Sequence, residues 1–165
     1  MTKRDFKTRQ TTRKKEGQMD GMKLSAEAVN DKVRSDIEQY GWSIIASEFQ
    51  GGIYAHTIGL EQSFKHPEIE VLGLNEELAT VFLNELAKLV KQGTELKNGM
   101  TISDFVEGYE LMLVTNPSDP NGEPTIDGRL RLIWPDTNHR YPWDNDCAAD
   151  CSIQSLLPES LPAAD

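Results

Sequence analysis

One segment limits the fold more than any other: residues 75–92 read as a helix whose two ends are both marked. Asn75 can cap the N-terminus, and Glu76 and Glu77 follow in the first turn, where the helix dipole favours carboxylates. Gly93 can end the helix. A helix with a broad apolar stripe must pack on a second layer of structure. The stripe residues, spaced three and four apart, are Leu78, Val81, Phe82, Leu86, Leu89 and Val90.

The second layer is predicted to be a β-sheet. The segments WSIIASEF and IYAHTIGL flank a glycine-rich QGG and read as a β-hairpin. EIEVLGL, a short TELK, YELMLV and RLRLIW add strands, and SFKHP reads as a loop because its proline favours extended backbone before it. In RLRLIW, alternation directs Leu130 and Leu132 inward and Arg129 and Arg131 outward. The predicted fold is α+β: a largely antiparallel sheet of about five or six strands with two helices packed on it.

The chain is predicted to form a single domain. A helix from Ser25 to about Tyr40 begins its ordered part, and 165 residues are enough for one core. We assign residues 25–157 to this domain. Residues 1–24 form a basic tail that we expect to be disordered because it holds few apolar residues. Residues 158–165 are expected to form a flexible C-terminal tail.

Charge is divided unevenly along the chain. Residues 1–20 carry seven Lys or Arg against three Asp or Glu, whereas the rest carries ten against 24, a net charge of −14. Such an acidic body repels nucleic acid and anionic membranes and suits a basic protein partner. Nucleic acid is therefore expected to contact at most the basic tail. No apolar run could span a bilayer and no signal-peptide core is present, so a cytoplasmic location is expected.

Two of the three histidines are candidates for catalysis. His56 lies in a predicted strand and His66 precedes a proline; with Glu68 as an orienting carboxylate, either could act as a general base. In the alternative, His56 packs beside Tyr54, and His66 bonds backbone groups beside Pro67. The alternative is favoured because no nucleophile lies at a spacing from these histidines that would indicate a catalytic site.

Aromatic and basic residues suggest a binding site. The segment WPDTNHRYPWD combines tryptophans and a tyrosine with an arginine, a combination suited to anchoring a ligand or a partner. Alternatively, its aromatic rings close one end of the sheet. Arg129 and Arg131 within RLRLIW, or Arg140 after it, could recognise an anion. The candidate ligand-binding or partner-binding residues are Tyr54, Thr57, Arg129, Arg131, Arg140, Tyr141 and Trp143.

A metal site is a weak candidate. His139, Cys147 and Cys151 lie close together in sequence, and zinc binds such ligands in a tetrahedron. Only one histidine is nearby and no second cysteine pair exists, so free reduced thiols are the favoured interpretation. No cofactor is expected.

Several short segments resemble one family. HTIGL, then HPE, then LNEL, and finally WPD and PWD follow one another as in a bacterial family catalogued as domain of unknown function 4262. The resemblance extends over residues 36–157. It implies that these are signature segments, but it implies no activity. The proline-rich loop between Val114 and Arg129 departs from the family pattern.

Two classes of function remain open. The acidic body and the lack of a recognisable catalytic motif favour a protein-binding or antagonist module, immunity-like, with a basic protein as its partner. The alternative is a small enzyme or small-molecule-binding domain that uses the region of His56 and His66. A homodimer through an uncovered sheet edge is compatible with either.

Overall fold

The computed structural model describes residues 26–49 and 52–156. The predictions for the two tails and for the turn of the hairpin at residues 50–51 lie outside these residues. By contacts the chain divides into two compact units, residues 1–32 and 33–165. Of the first unit, the structure describes only residues 26–32, which are helical. The sheet and all the candidate site residues belong to the second unit.

The described residues form four helices, six strands and one 3-10 turn. No helix there is long and apolar enough to cross a membrane. The elements, in chain order, are α1 (Ala26–Tyr40), β1 (Ser43–Phe49), β2 (Gly52–Ile58), α2 (Leu60–Phe64), β3 (Ile69–Leu74), α3 (Glu76–Lys91), β4 (Thr101–Val106), β5 (Tyr109–Val114), β6 (Leu130–Ile133), α4 (Ala149–Ser152) and a 3-10 turn (Ile153–Ser155).

The six strands form one mixed sheet in the order β1-β2-β3-β6-β5-β4. All neighbouring strands are antiparallel except β3 and β6, which are parallel. With helices packed on this mostly antiparallel sheet, the α+β prediction is confirmed. The predicted hairpin is also present, since β1 pairs with β2 from Ser43–Ile58 to Phe49–Gly52.

Helix α3 forms the second layer, as predicted. The Asn75 side chain caps it by accepting the N–H of Leu78 at 2.8 Å. The predicted stripe is wrong at two positions, because Leu78 and Val81 are 42% and 48% exposed. The helix is turned so that Ala79 and Ala87 lie on its buried side. Its buried residues are Ala79, Phe82, Leu83, Leu86, Ala87 and Val90.

Two predicted connections are different in the structure. SFKHP is not wholly a loop, because Leu60–Phe64 forms the short helix α2, which ends at Lys65 with a left-handed φ of 55°. The predicted TELK strand is absent: residues 94–97 are irregular, and the strand begins at Thr101, after a turn at Gly99. Leu96 is the one buried residue there, and its N–H donates to His66 Nε2 at 3.0 Å, so burial and this bond rather than a strand hold the segment.

The prediction that Arg131 points outward is wrong. Its side chain is fully buried on the sheet face opposite α3. The C-terminal segment covers it, and Arg131 Nη1 donates to the carbonyl oxygens of Gln154 at 2.7 Å and Leu156 at 2.5 Å. Strand alternation was read correctly, but at Arg131 this second face of the sheet is not open to solvent.

Candidate functional site

A buried charge cluster lies on the sheet face opposite α3. It consists of Tyr54, Glu70, Arg129 and Arg131, and we call these four residues the charge cluster. Glu70 Oε1 accepts the Tyr54 hydroxyl at 2.8 Å and lies 2.7 Å from Arg129 Nη1. Glu70 Oε2 accepts Arg131 Nε at 2.7 Å. One carboxylate thus binds two guanidinium groups and a phenol.

Strand register assembles the charge cluster. Glu70 pairs with Arg131 across the parallel β3–β6 ladder and with His56 across the antiparallel β2–β3 ladder. Tyr54 stands two residues before His56 on the same face of β2, and Arg129 immediately precedes β6. Side chains that share a face of neighbouring strands are close enough to interact. The cluster therefore follows directly from the sheet.

The charge cluster carries an excess positive charge. Burial, and then the negative charge of Glu70, raise the pKa of Tyr54 to about 12, so the phenol is neutral near pH 7. Two arginines then face one carboxylate. Arg131 Nη2 lies 2.5 Å from Glu70 Oε2, yet it makes no well-aligned hydrogen bond with any described residue.

Both ring nitrogens of His66 contact backbone groups. Its Nδ1 lies 2.9 Å from the Pro67 carbonyl oxygen, and its Nε2 accepts the N–H of Leu96 at 3.0 Å. An accepting Nε2 requires the proton on Nδ1, so the ring is neutral in this arrangement. With 5% of its surface exposed, His66 joins the β2–β3 connection to the segment before β4.

Glu68 binds the start of α2. Its carboxylate accepts the backbone N–H groups of Gly59 at 3.0 Å, Leu60 at 3.2 Å and Glu61 at 3.2 Å. It also accepts the Thr57 hydroxyl at 2.8 Å, while Thr57 Oγ1 accepts the N–H of Ile69 at 2.9 Å. These bonds satisfy N–H groups at the turn into α2 that have no helical partner. In this chain TIGL supplies donors and HPE supplies the carboxylate that accepts them.

His56 is the less enclosed histidine. It is half-buried, and its ring lies 5.4 Å from that of Tyr54, measured between centroids. Its Nδ1 is 3.1 Å from the Thr57 carbonyl oxygen. It therefore borders the charge cluster, whereas His66 and Glu68 are bound to backbone groups of the β2–β3 connection.

The aromatic segment after β6 is fixed by its own polar groups. Asp136 accepts the N–H groups of Asn138 at 2.8 Å, Arg140 at 3.0 Å and Ala148 at 2.9 Å. These bonds, led by that from Arg140, hold the pKa of Asp136 below its usual value. Asp136 thus organises the segment as a compact loop.

The other candidate binding residues of this segment also have partners. Arg140 donates from Nη1 to the carbonyl of Asp146 at 3.0 Å. The Tyr141 hydroxyl donates to the carbonyl of Glu110 at 2.8 Å, and the Tyr141 ring stacks on Trp143 at 5.3 Å. Of the candidate binding residues, only Tyr54, Arg129 and Arg131 join the charge cluster.

The weak metal candidates do not come together in the structure. Among residues 26–49 and 52–156, no group of three or more His, Cys, Asp or Glu side chains could hold a metal ion. The His139 ring stacks on Tyr109 at 4.7 Å. Cys147 and Cys151 are free thiols, and burial, followed by the proximity of Cys147, raises the pKa of Cys151 to about 12.

Sequence reasoning missed Glu70. The signal was present, since Glu70 interrupts the apolar run EIEVLGL and Arg131 interrupts RLRLIW. Opposite charges in two buried strands indicate strand neighbours. A pocket of about 340 Å³ lies elsewhere, lined by Glu48, Gly52, Ile53, Asn75 and Glu76, and contains none of the predicted site residues.

Comparison with known proteins gives one match. A family model described as "Domain of unknown function (DUF4262)" matches residues 36–125, a little over half of the 165 residues. The matched range contains HTIGL, HPE and LNEL and ends before WPD and PWD. No curated protein and no solved structure matches the chain.

Proposed function

The chain belongs to the DUF4262 family, whose description names no activity, and from this premise we propose that it is a protein-binding module that receives a basic partner on one face of α3. We call this surface the outer face of α3 and define it as Glu77, Leu78, Val81 and Glu85. At 100° per residue these four positions fall within one side of the helix, away from the buried stripe.

The observation that carries the proposal is the exposure of two aliphatic side chains on a helix that is otherwise well packed. Leu78 and Val81 are 42% and 48% exposed. Tyr40 is the other large hydrophobic residue exposed to this degree in the described part of the chain, and it lies on α1. Covering Leu78 and Val81 would contribute roughly 1 kcal/mol each, about half the value of full burial.

Charge supports a basic partner. The described residues carry nine Lys or Arg against 22 Asp or Glu, a net charge of −13. On the outer face of α3, Glu85 is paired at 2.9 Å with Lys88, but both side chains are about half exposed, so water and salt screen this pair. A cationic surface would be attracted over a distance set by ionic strength.

The enzyme alternative has less support from the geometry. His66 and Glu68 are bound to backbone groups that hold the β2–β3 connection. A general base must have a nitrogen or oxygen free to reach a substrate proton. His56 has this freedom, but no described contact joins it to His66 or Glu68.

Capture from cell extract at low salt tests the proposal. We expect the wild-type protein to retain a basic protein that a Leu78→Ser, Val81→Ser double variant retains at least about tenfold less, the loss of about 2 kcal/mol of apolar contact. The matched control is Tyr40→Ser, which removes an equally exposed apolar side chain from a different helix and should leave capture unchanged. Equal capture by all three proteins would refute the assignment to the outer face of α3.

A further inference from the structure

Within the described residues, the charge cluster sets two arginines against one carboxylate. Arg129 and Arg131 share the single carboxylate of Glu70, which has no exposed surface. The Tyr54 phenol supplies a dipole and no charge. Two guanidinium groups that share one carboxylate leave a net positive charge, and a net charge removed from water is costly.

Arg129 is the member of the cluster that solvent can reach. Its side chain is 24% exposed, whereas that of Arg131 is fully buried. Arg129 Nε donates to the Ile126 carbonyl at 3.2 Å, and Nη1 donates to the Tyr54 hydroxyl at 2.8 Å. These contacts fix the plane of the guanidinium while Nη2 makes no hydrogen bond or ion pair within residues 26–49 and 52–156.

Arg131 occupies one of the two carboxylate oxygens of Glu70. Its Nε and Nη2 both lie against Oε2, at 2.7 and 2.5 Å, which leaves Oε1 to Arg129 and the Tyr54 hydroxyl. Glu70 lies between the two guanidinium groups and binds both of them. An anion at Arg129 would therefore complete the charge balance of the whole cluster, and the guanidinium would need little reorganisation to receive it.

We propose that the charge cluster binds a small oxyanion, a phosphate or a carboxylate group, at Arg129 on the sheet face opposite α3. The site is distinct from the outer face of α3 and does not depend on the proposed protein-binding function. Guanidinium groups bind both kinds of oxyanion through charge-assisted hydrogen bonds. His56, which borders the cluster through the Tyr54 ring, forms one side of its surroundings.

NMR of the arginine side chains tests the proposal on the unaltered full-length protein. Sodium phosphate or sodium acetate replaces sodium chloride at constant ionic strength, up to about 50 mM, a range that weak single-site anion binding requires. We expect the Nε–H signal of Arg129 to move with a saturable concentration dependence while that of Arg140 stays in place. A response to phosphate alone identifies a phosphate site, and a response to acetate alone a carboxylate site.

Thermal unfolding under the same conditions provides the second measurement. The preferred anion should raise the Tm of the wild type and of Arg140→Gln by about 4 °C, and should leave the Tm of Arg129→Gln unchanged relative to chloride. Arg140 is a suitable control because it is an exposed arginine outside the cluster. An Arg129 signal that responds to neither anion, or an equal rise in Tm for Arg129→Gln, would overturn the proposal.

Discussion

At the scale of single residues, polar side chains in this protein stabilise the backbone. Glu68, His66 and Asp136 lie in the HPE and WPD segments, and all three accept backbone N–H groups. Histidine and carboxylates are also the usual residues of catalytic sites, so their presence in a motif does not separate the two roles. Their partners do, and the sequence does not show these partners: the one that His66 binds, Leu96, is 30 residues away.

Replacing Glu68 by glutamine should lower the free energy of unfolding by about 2 kcal/mol. Oε1 and Oε2 each accept at least one backbone N–H, so in either orientation the new amide NH₂ group faces donors. Urea denaturation measures the change. Glu61→Gln is the matched control, because it removes the same charge from the exposed side of α2 and should cost less than about 0.5 kcal/mol. Equal effects of the two substitutions would contradict the capping role of Glu68.

Cys151 should react slowly with iodoacetamide in the folded protein. Burial raises its pKa to about 12, so the reactive thiolate is scarce at pH 8, and the thiol is also fully buried. Mass spectrometry of peptides after timed alkylation should find Cys147, which is partly exposed, modified first. In urea the two cysteines should react at similar rates. Rapid modification of Cys151 without denaturant would show that the packing around α4 does not protect this thiol.

At the scale of elements, local patterns predicted what local forces decide. The capped helix α3 and the β1–β2 hairpin follow from apolar spacing and glycine positions, and both are present. The rotation of α3 about its axis was missed, because the stripe rule counts large apolar residues while the buried side also contains Ala79 and Ala87. Alternation in β6 assigned faces correctly but could not tell that the C-terminal segment covers one of them.

The connection from β2 to α2 depends on Gly59. Its φ is +110°, and a Cβ there would lie 2.9 Å from the Gly41 carbonyl oxygen and 2.9 Å from an Ile37 side-chain carbon. We expect Gly59→Ala to lower the free energy of unfolding by about 3 kcal/mol, since backbone strain and steric overlap both contribute. Thermal or urea unfolding measures this.

Gly93→Ala separates the two contributions. Gly93 has a similar φ of +101°, but nothing lies within 4 Å of its Cβ position. Gly93→Ala should therefore cost only about 1 kcal/mol, from backbone strain without steric overlap. If both substitutions cost the same, the close approach between Gly59 and Gly41 is not a significant constraint on the fold.

At the scale of the whole molecule, charge and exposure suggest what the fold presents to other molecules. The net charge of −13 over the described residues comes from a surface rich in carboxylates, and one buried cluster carries the opposite sign. Sequence composition predicted the acidic body, since charge is additive and needs no coordinates. The charge cluster was not predicted, because it depends on Glu70 and Arg131 meeting across 61 residues of chain.

The most direct test of the proposed function is the affinity of the captured partner for the purified protein at two salt concentrations. With the outer face of α3 as the binding surface, the Leu78→Ser, Val81→Ser variant should bind about tenfold more weakly than the wild type at both salt concentrations, because the lost contact is apolar. Raising NaCl from about 50 to 300 mM should weaken partner binding by the wild type and by the variant to a similar degree, because salt screens the charges. Unchanged affinity of the double variant, or an affinity that does not respond to salt, would contradict the account of a basic partner bound at α3.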